Sequence, residues 1–168
     1  MTSIEIAVEF IAPLVGVFVG TLLAWWIDHR NTQQNRAYRA RILLESLQKE
    51  LETNHDTVKR MRPAYQRERW GKSFYVETVV WETAIASGDV ADLLGQKMAN
   101  ELSKQYGRFV RMRYYVDLLT RLWFAPDAID GAEEMRLGFH DNILRTMTDV
   151  VNHHQLVMGM IRESQNSA

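Results

Sequence analysis

Residues 10–27 read FIAPLVGVFVGTLLAWWI, eighteen positions without a charge, and extending the run back to Ile6 adds only Glu9 as an interruption. A helix rising ~1.5 Å per residue needs about 20 apolar residues to cross a ~30 Å hydrocarbon core. A soluble core helix keeps a polar stripe, and this run has none on any face. The pattern therefore predicts a transmembrane anchor over residues 1–30. Trp25 and Trp26, followed by Arg30, suit the headgroup level, where an amphipathic ring meets water. Glu5 and Glu9 precede the run, which ends on Trp25-Trp26-Ile27 with Asp28 after it. A cleaved signal peptide wants basic residues before and a small-residue cleavage site after, so the expectation is an uncleaved anchor. Arg30, Arg36, Arg39 and Arg41 all follow the span. The positive-inside rule then puts the protein in the inner (plasma) membrane as a single pass, N-terminus outside and C-terminal region cytoplasmic.

Beyond the polar stretch 31–35 (NTQQN), which either hinges or continues the helix, the period changes. Ala37, Ala40, Leu44, Leu47, Leu51, Asn54, Val58 and Met61 recur in steps of three and four. That seam predicts a second helix over 36–62, with Asn54 as a polar register-setting member. Its partner is another helix of its own bundle or of another chain; later helices with matching faces favour the internal bundle. Pro63 is expected to end the helix and Gly71 to mark the following loop.

A third helix is predicted over 73–86, carrying Phe74, Val80, Trp81 and Ile85. Ser87 and Gly88 suit its C-terminal cap, and Asp89 suits the N-cap of a short turn holding Val90, Leu93 and Leu94. A fourth helix, 96–124, carries Met98, Leu102, Phe109, Met112, Val116, Leu119 and Trp123 in heptad-like steps until Ala125-Pro126-Asp127. The last, 131–163, shows Met135, Phe139, Ile143, Met147, Val150, Val157 and Ile161. Residues 164–168 read as a disordered tail. No stretch alternates with period two, so no sheet is expected. The fold class is all-α: one N-terminal transmembrane helix, a basic stem helix and loop over 31–72, and the remainder of an antiparallel cytoplasmic helical bundle of about four principal helices over 73–163.

Charge sharpens this division. The 168 residues carry a net −1, as a soluble domain would, but residues 1–27 carry −2, residues 28–72 carry +5 and residues 73–168 carry −4. The near-neutral total is a cancellation. It also argues against a wholesale nucleic-acid binder. With no cysteine, a disulfide framework, a thiolate zinc site and a cysteine nucleophile are excluded.

Four groups of residues are candidates for function. Ala12, Gly16, Gly20 and Ala24 recur every fourth position, a small-residue transmembrane face that lets another helix approach closely. In residues 59–72, six of fourteen positions are basic against one acid; Arg60, Arg62, Tyr65, Arg67, Arg69 and Trp70 interleave cations with rings, which suits a protein partner or anionic lipid. A straight helix through the stem would carry that loop about 50 Å from the membrane, favouring a protein. Asn54, Glu82 and Gln105 are candidates for a buried polar network. Glu52-x-x-His55 is half of a di-iron carboxylate pattern, with Asp149 and His153 as an improvised second half. No other histidine has a glutamate three positions earlier, so no metal site or cofactor is expected. No phosphate loop or nucleophile spacing occurs either, and catalytic residues are not expected.

An anchor followed by Glu50-Leu51-x-x-Asn54, then Trp81-Glu82, Ser87-Gly88 and Leu93-Leu94, resembles a broad group of single-span prokaryotic membrane proteins with a cytoplasmic helical domain. The resemblance runs from the anchor to about Tyr106. It implies a membrane-anchored helical protein and supplies no catalytic residues. The functional expectation is a non-enzymatic interaction protein, a scaffold or accessory subunit. Its expected partners are membrane lipid and either itself or a larger membrane complex. The alternative is a homo-oligomeric ion-conducting or membrane-perturbing protein in which Glu9 rings the mouth of a pathway, gated by its cytoplasmic helical domain.

Overall fold

The computed structural model describes the backbone of residues 3–67, 74–124 and 131–167, with side chains from Phe18 onward. The described residues form five helices and no strand: α1 (Ser3–Arg67), α2 (Val79–Ala86), α3 (Asp89–Leu94), α4 (Gln96–Phe124) and α5 (Ala132–Ser167). The chain divides into two compact units, Met1–Arg39 and Ala40–Ala168.

In the first unit the backbone is helical through residues 31–35, so the polar stretch does not break into a loop. Asn, Thr and Gln are mediocre helix formers, but their neighbours supply i,i+4 support: Gln33 Nε2 lies 2.8 Å from His29 Nε2. From residue 18 to 27 every side chain is exposed, including Phe18, Val19, Leu22, Leu23, Trp25, Trp26 and Ile27. Among the described residues no helix is long and apolar enough to cross a membrane. The first eight positions of the uncharged run, 10–17, lie outside the described side chains.

The second unit is a helical bundle. Leu44, Leu47, Leu51, Asn54 and Val58 of α1 are buried, so the predicted seam is the inner face of this chain's own bundle. Opposite them lie Leu102, Tyr106, Phe109 and Met112 of α4 with Ile143, Met147, Val150, Val157 and Ile161 of α5. Helix direction follows from cross-helix contacts. Along α1, Gln48, His55 and Tyr65 meet Gln165, His154 and His140 of α5, in descending order, so these helices are antiparallel. Gln105 bonds to the Val150 carbonyl and Arg136 to that of Leu122, so α4 and α5 are antiparallel too. Helices α1 and α4 therefore run parallel, and the chain between them must travel back along the bundle. Residues 74–78, α2 and α3 make that return.

Several predicted boundaries move. Helix α1 does not stop at Pro63 but continues to Arg67. Pro63 is exposed, and one half-turn later Tyr65 is almost wholly buried, its ring edge-on to Phe74 at 5.8 Å and stacked on His140 at 5.9 Å. Burying that ring outweighs the single hydrogen bond that proline forfeits. The third predicted helix begins at Val79, because residues 74–78 are held non-helical against α1. Gly88 is the N-cap of α3 where Asp89 was expected; Asp89 is its first residue, accepting from the Ser87 hydroxyl at 2.9 Å. Gly88 and Gly95 adopt φ of 76° and 78°, left-handed values that turn the chain at either end of α3 and that a Cβ would strain. Residues 164–167 are not a disordered tail but helical, and Gln165 Nε2 donates to Gln48 Oε1 at 3.1 Å. Trp123, Ile85 and Met135, apolar positions of the predicted helices, are exposed, with Leu122 and Ala84 buried beside the first two.

Candidate functional site

The described part of the apolar segment ends in a collar of rings and charges. Trp25 stacks on His29 with ring centroids 5.5 Å apart, and the Arg30 guanidinium sits 5.5 Å from the centre of the Trp26 ring. Both are i,i+4 pairs, so one helical turn places each polar group on the ring before it. The arrangement gives each indole an apolar side toward residues 18–24 and a cationic or hydrogen-bonding side beyond. Of the predicted small-residue face, Ala12 and Gly16 lie outside the described side chains. Gly20 and Ala24 are exposed, and a Cβ added at Gly20 would meet nothing within 4 Å.

The described part of the basic aromatic stretch is the end of α1. Arg60 is exposed and Arg62 half-buried on α1, and Arg67 Nε donates to the Pro63 carbonyl at 3.3 Å. Arg69 and Trp70 lie outside the described residues. Tyr65 is not available to stack on a partner. Burial pushes its hydroxyl pKa up to about 12, and its carbonyl accepts from His140 Nε2 at 2.8 Å. Because a carbonyl only accepts, that contact puts a proton on Nε2 of His140.

The predicted polar network splits likewise. Asn54 and Gln105 are buried but serve different segments, and Glu82 is exposed. Asn54 grips the backbone of Glu77 twice: Oδ1 accepts from its N–H at 2.7 Å and Nδ2 donates to its carbonyl at 2.6 Å. Glu82 of α2 accepts from the hydroxyl of Thr78, just before the helix, at 2.7 Å. Gln105 Nε2 donates to the Val150 carbonyl at 3.3 Å, tying α4 to α5.

The residue missed by sequence reasoning is Glu50. Its carboxylate accepts from the N–H groups of Val80 at 2.8 Å and Trp81 at 3.4 Å, the second and third residues of α2. Thr78, the N-cap by position, makes no side-chain cap bond. Glu50 thus caps α2 from thirty residues away, where a negative charge also meets the positive end of the helix dipole. It lies beside Tyr106, whose hydroxyl pKa is raised, first by burial and then by that carboxylate. Trp81 stacks on Tyr106 with ring centroids 4.7 Å apart and 4° between planes. Glu50 and Asn54 are one helical turn apart, which was the available signal: two polar residues on an otherwise apolar seam.

His55 meets a second histidine. Its ring stacks on that of His154 in α5, with centroids 3.8 Å apart and 13° between planes. Glu52 accepts from Gln48 at 3.0 Å. His153 Nε2 lies 3.2 Å from Glu101 of α4, and Glu101 is held by Lys104 at 2.6 Å. Among the described residues no three His, Cys, Asp or Glu side chains converge in a way that would hold a metal ion.

No protein-family model, curated protein or solved structure matches the chain.

Proposed function

We propose that this chain is a membrane-anchored helical interaction protein, a scaffold or accessory subunit of a membrane complex. In this reading residues 1–30 insert in the bilayer as a single pass and the bundle of residues 40–168 lies on the cytoplasmic side. One observation carries the proposal. Residues 18–27 present Phe18, Leu22, Leu23, Trp26 and Ile27 around the helix with no cover from their own unit, while the seam of the second unit is spent on its own core. An uncovered apolar cylinder of that kind is stable in lipid and costly in water, at about 25 cal/mol per Å² of apolar surface. The Trp25–His29 and Trp26–Arg30 pairs supply the interfacial end of the span. Within the bilayer, close approach along Ala12, Gly16, Gly20 and Ala24 makes the helix–helix contact, either with a second copy or with a larger complex.

The test is expression in a bacterial host, followed by separation of membranes and extraction with alkaline carbonate. The protein is expected to stay with the pellet and to enter solution only with detergent. Recovery as a monodisperse species without detergent sinks the membrane reading. In mild detergent, crosslinking before and after the paired substitutions Gly16→Ile and Gly20→Ile reports on the small-residue face. Loss of the crosslinked species is expected, and an unchanged ladder or a monomer throughout removes the helix-pairing part alone.

A further inference from the structure

Three histidines lie where α5 passes its two long neighbours. His55 of α1 stacks on His154 of α5, and His153 of α5 faces Glu101 of α4. The Nδ1 atoms of His55 and His154 are buried, with no hydrogen-bond partner among the described residues. Rings stacked face to face direct their in-plane lone pairs side by side rather than toward a common point, so this pair does not chelate. What it does is respond to protons. Two neutral imidazoles stack 3.8 Å apart without penalty, whereas two imidazolium rings at that distance repel and lose hydration.

We propose that the His55–His154 stack is a proton-sensitive clasp that holds the C-terminal half of α5 against α1 at neutral pH and releases it in acid.

The surroundings set the direction. On α1, Glu52 and Asp56 favour a charge on His154, but burial, the neighbouring His55 and Arg162 of α5 oppose it, and its pKa falls to about 4. His55 is lowered as well, first by burial and then by Lys59, against the opposing pull of Asp56. On the α4 side, His153 is lowered by burial and by Arg108 and Lys104, with Glu101 opposing. A histidine whose folded pKa is depressed takes up its proton more readily once released. The contact is therefore intact above the free value of ~6.5 and weakens as pH falls through the window between ~6.5 and about 4. At pH 5, a shift from ~6.5 to about 4 on one ring multiplies the opening equilibrium by roughly thirty, and solvent screening of a half-exposed ring brings this to about tenfold. Below the clasp, Val157 and Ile161 pack with Leu47 and Leu51 in the same core, and the Gln48–Gln165 bond at the far end is a single hydrogen bond, so opening would uncover apolar surface.

The test is hydrogen exchange by mass spectrometry on the full chain in mild detergent at pH 7 and pH 5, corrected for the intrinsic exchange rate. Peptides covering 44–58 and 150–165 are expected to lose about tenfold in protection at pH 5. His154→Phe and His55→Phe keep a stacked ring without the proton and are expected to remove that loss, while His153→Gln retains it. A wild-type chain with no loss, Phe variants as acid-sensitive as wild type, or abolition by His153→Gln alone each overturns the proposal. Should the Phe variants fail to fold, the imidazole proton resonances of the wild-type chain decide. Titration midpoints of His55 and His154 below the free-imidazole value sustain the clasp, and midpoints at or above it refute it.

Discussion

Replacing Asn54 with Ala removes the two hydrogen bonds that hold residues 74–78 along α1. The bonds are short, at 2.6 and 2.7 Å, and the side chain that makes them is almost wholly buried. Each is worth about 1 kcal/mol net, and the Glu77 backbone groups left behind are only part-buried, so water recovers some of the loss. Adding the small void left by truncation, Asn54→Ala is expected to cost about 2–4 kcal/mol, a large share of the ~5–15 kcal/mol that stabilises a typical domain. Asn54→Asp separates the two bonds. It keeps an acceptor for the Glu77 N–H but sets a carboxylate against the Glu77 carbonyl and one turn from Glu50, so it should be no more stable than the alanine variant.

Urea unfolding of the full chain in mild detergent, followed by far-UV circular dichroism, reads the magnitude. Local exchange at the Val80 and Trp81 amides reads the mechanism, because these N–H groups depend on Glu50 one turn away. Glu50 and Asn54 hold the same returning segment. The double variant with Glu50→Gln should therefore lose at least 0.5 kcal/mol less than the sum of the single losses. A cost for Asn54→Ala below about 0.5 kcal/mol, or full additivity, would refute the idea that this polar pair pins the return. The segment would then be held by the burial of Val76 and the packing of Phe74 alone.

Pro63→Ala should raise stability by about 1–3 kcal/mol in the same urea assay, since α1 is helical on both sides of it and alanine restores a missing helix hydrogen bond; a decrease refutes the continuous helix. Tyr65→Ala should cost about 3–5 kcal/mol through its buried ring. In the wild type, absorbance titration should find one tyrosine ionising near pH 12. The folded state holds that proton, so stability declines only as pH rises above ~10. A tyrosine set titrating uniformly near 10 contradicts this. Trp25→Ser with Trp26→Ser should lower the share of the protein that resists alkaline carbonate extraction from membranes, while leaving the circular dichroism of the bundle unchanged; an unchanged share argues against an interfacial collar.

The heptad-like steps located the inner faces because packing in a bundle enforces them. Leu44, Leu47, Leu51 and Val58 on α1, and Ile143, Met147 and Val150 on α5, are buried where the period places them. What the period could not carry was tertiary in origin. Pro63 reads as a stop because proline forfeits a local bond, whereas Tyr65 is buried by Phe74 and His140, nine and seventy-five positions further on. The N-terminal amides of α2 are capped by a carboxylate thirty residues earlier, whereas Thr78, which stands at the N-cap position, makes no side-chain cap bond. Tyr65 looked like a surface ring for the same reason: its basic neighbours are exposed or half-buried, and only the helix continuing past Pro63 turns it inward.

Glu50 and Asn54 also change what the polar positions of the seam mean. A lone asparagine in a heptad seam reads as a pairing device between two helices. Here it faces neither α4 nor α5 but a backbone segment, and Glu50 one turn earlier caps a helix that the same segment leads into. The parallel course of α1 and α4 explains why such a device is needed. Residues 74–78 reach the core through Val76 and Phe74 only, with Tyr75 exposed, so directed hydrogen bonds supply the register that packing there does not. The motif residues Glu50, Asn54 and Trp81 are thus accounted for by architecture, with Trp81 laid against Tyr106. The exposed side chains of residues 18–27 and the buried, unpartnered Nδ1 atoms of His55 and His154 are not accounted for in that way.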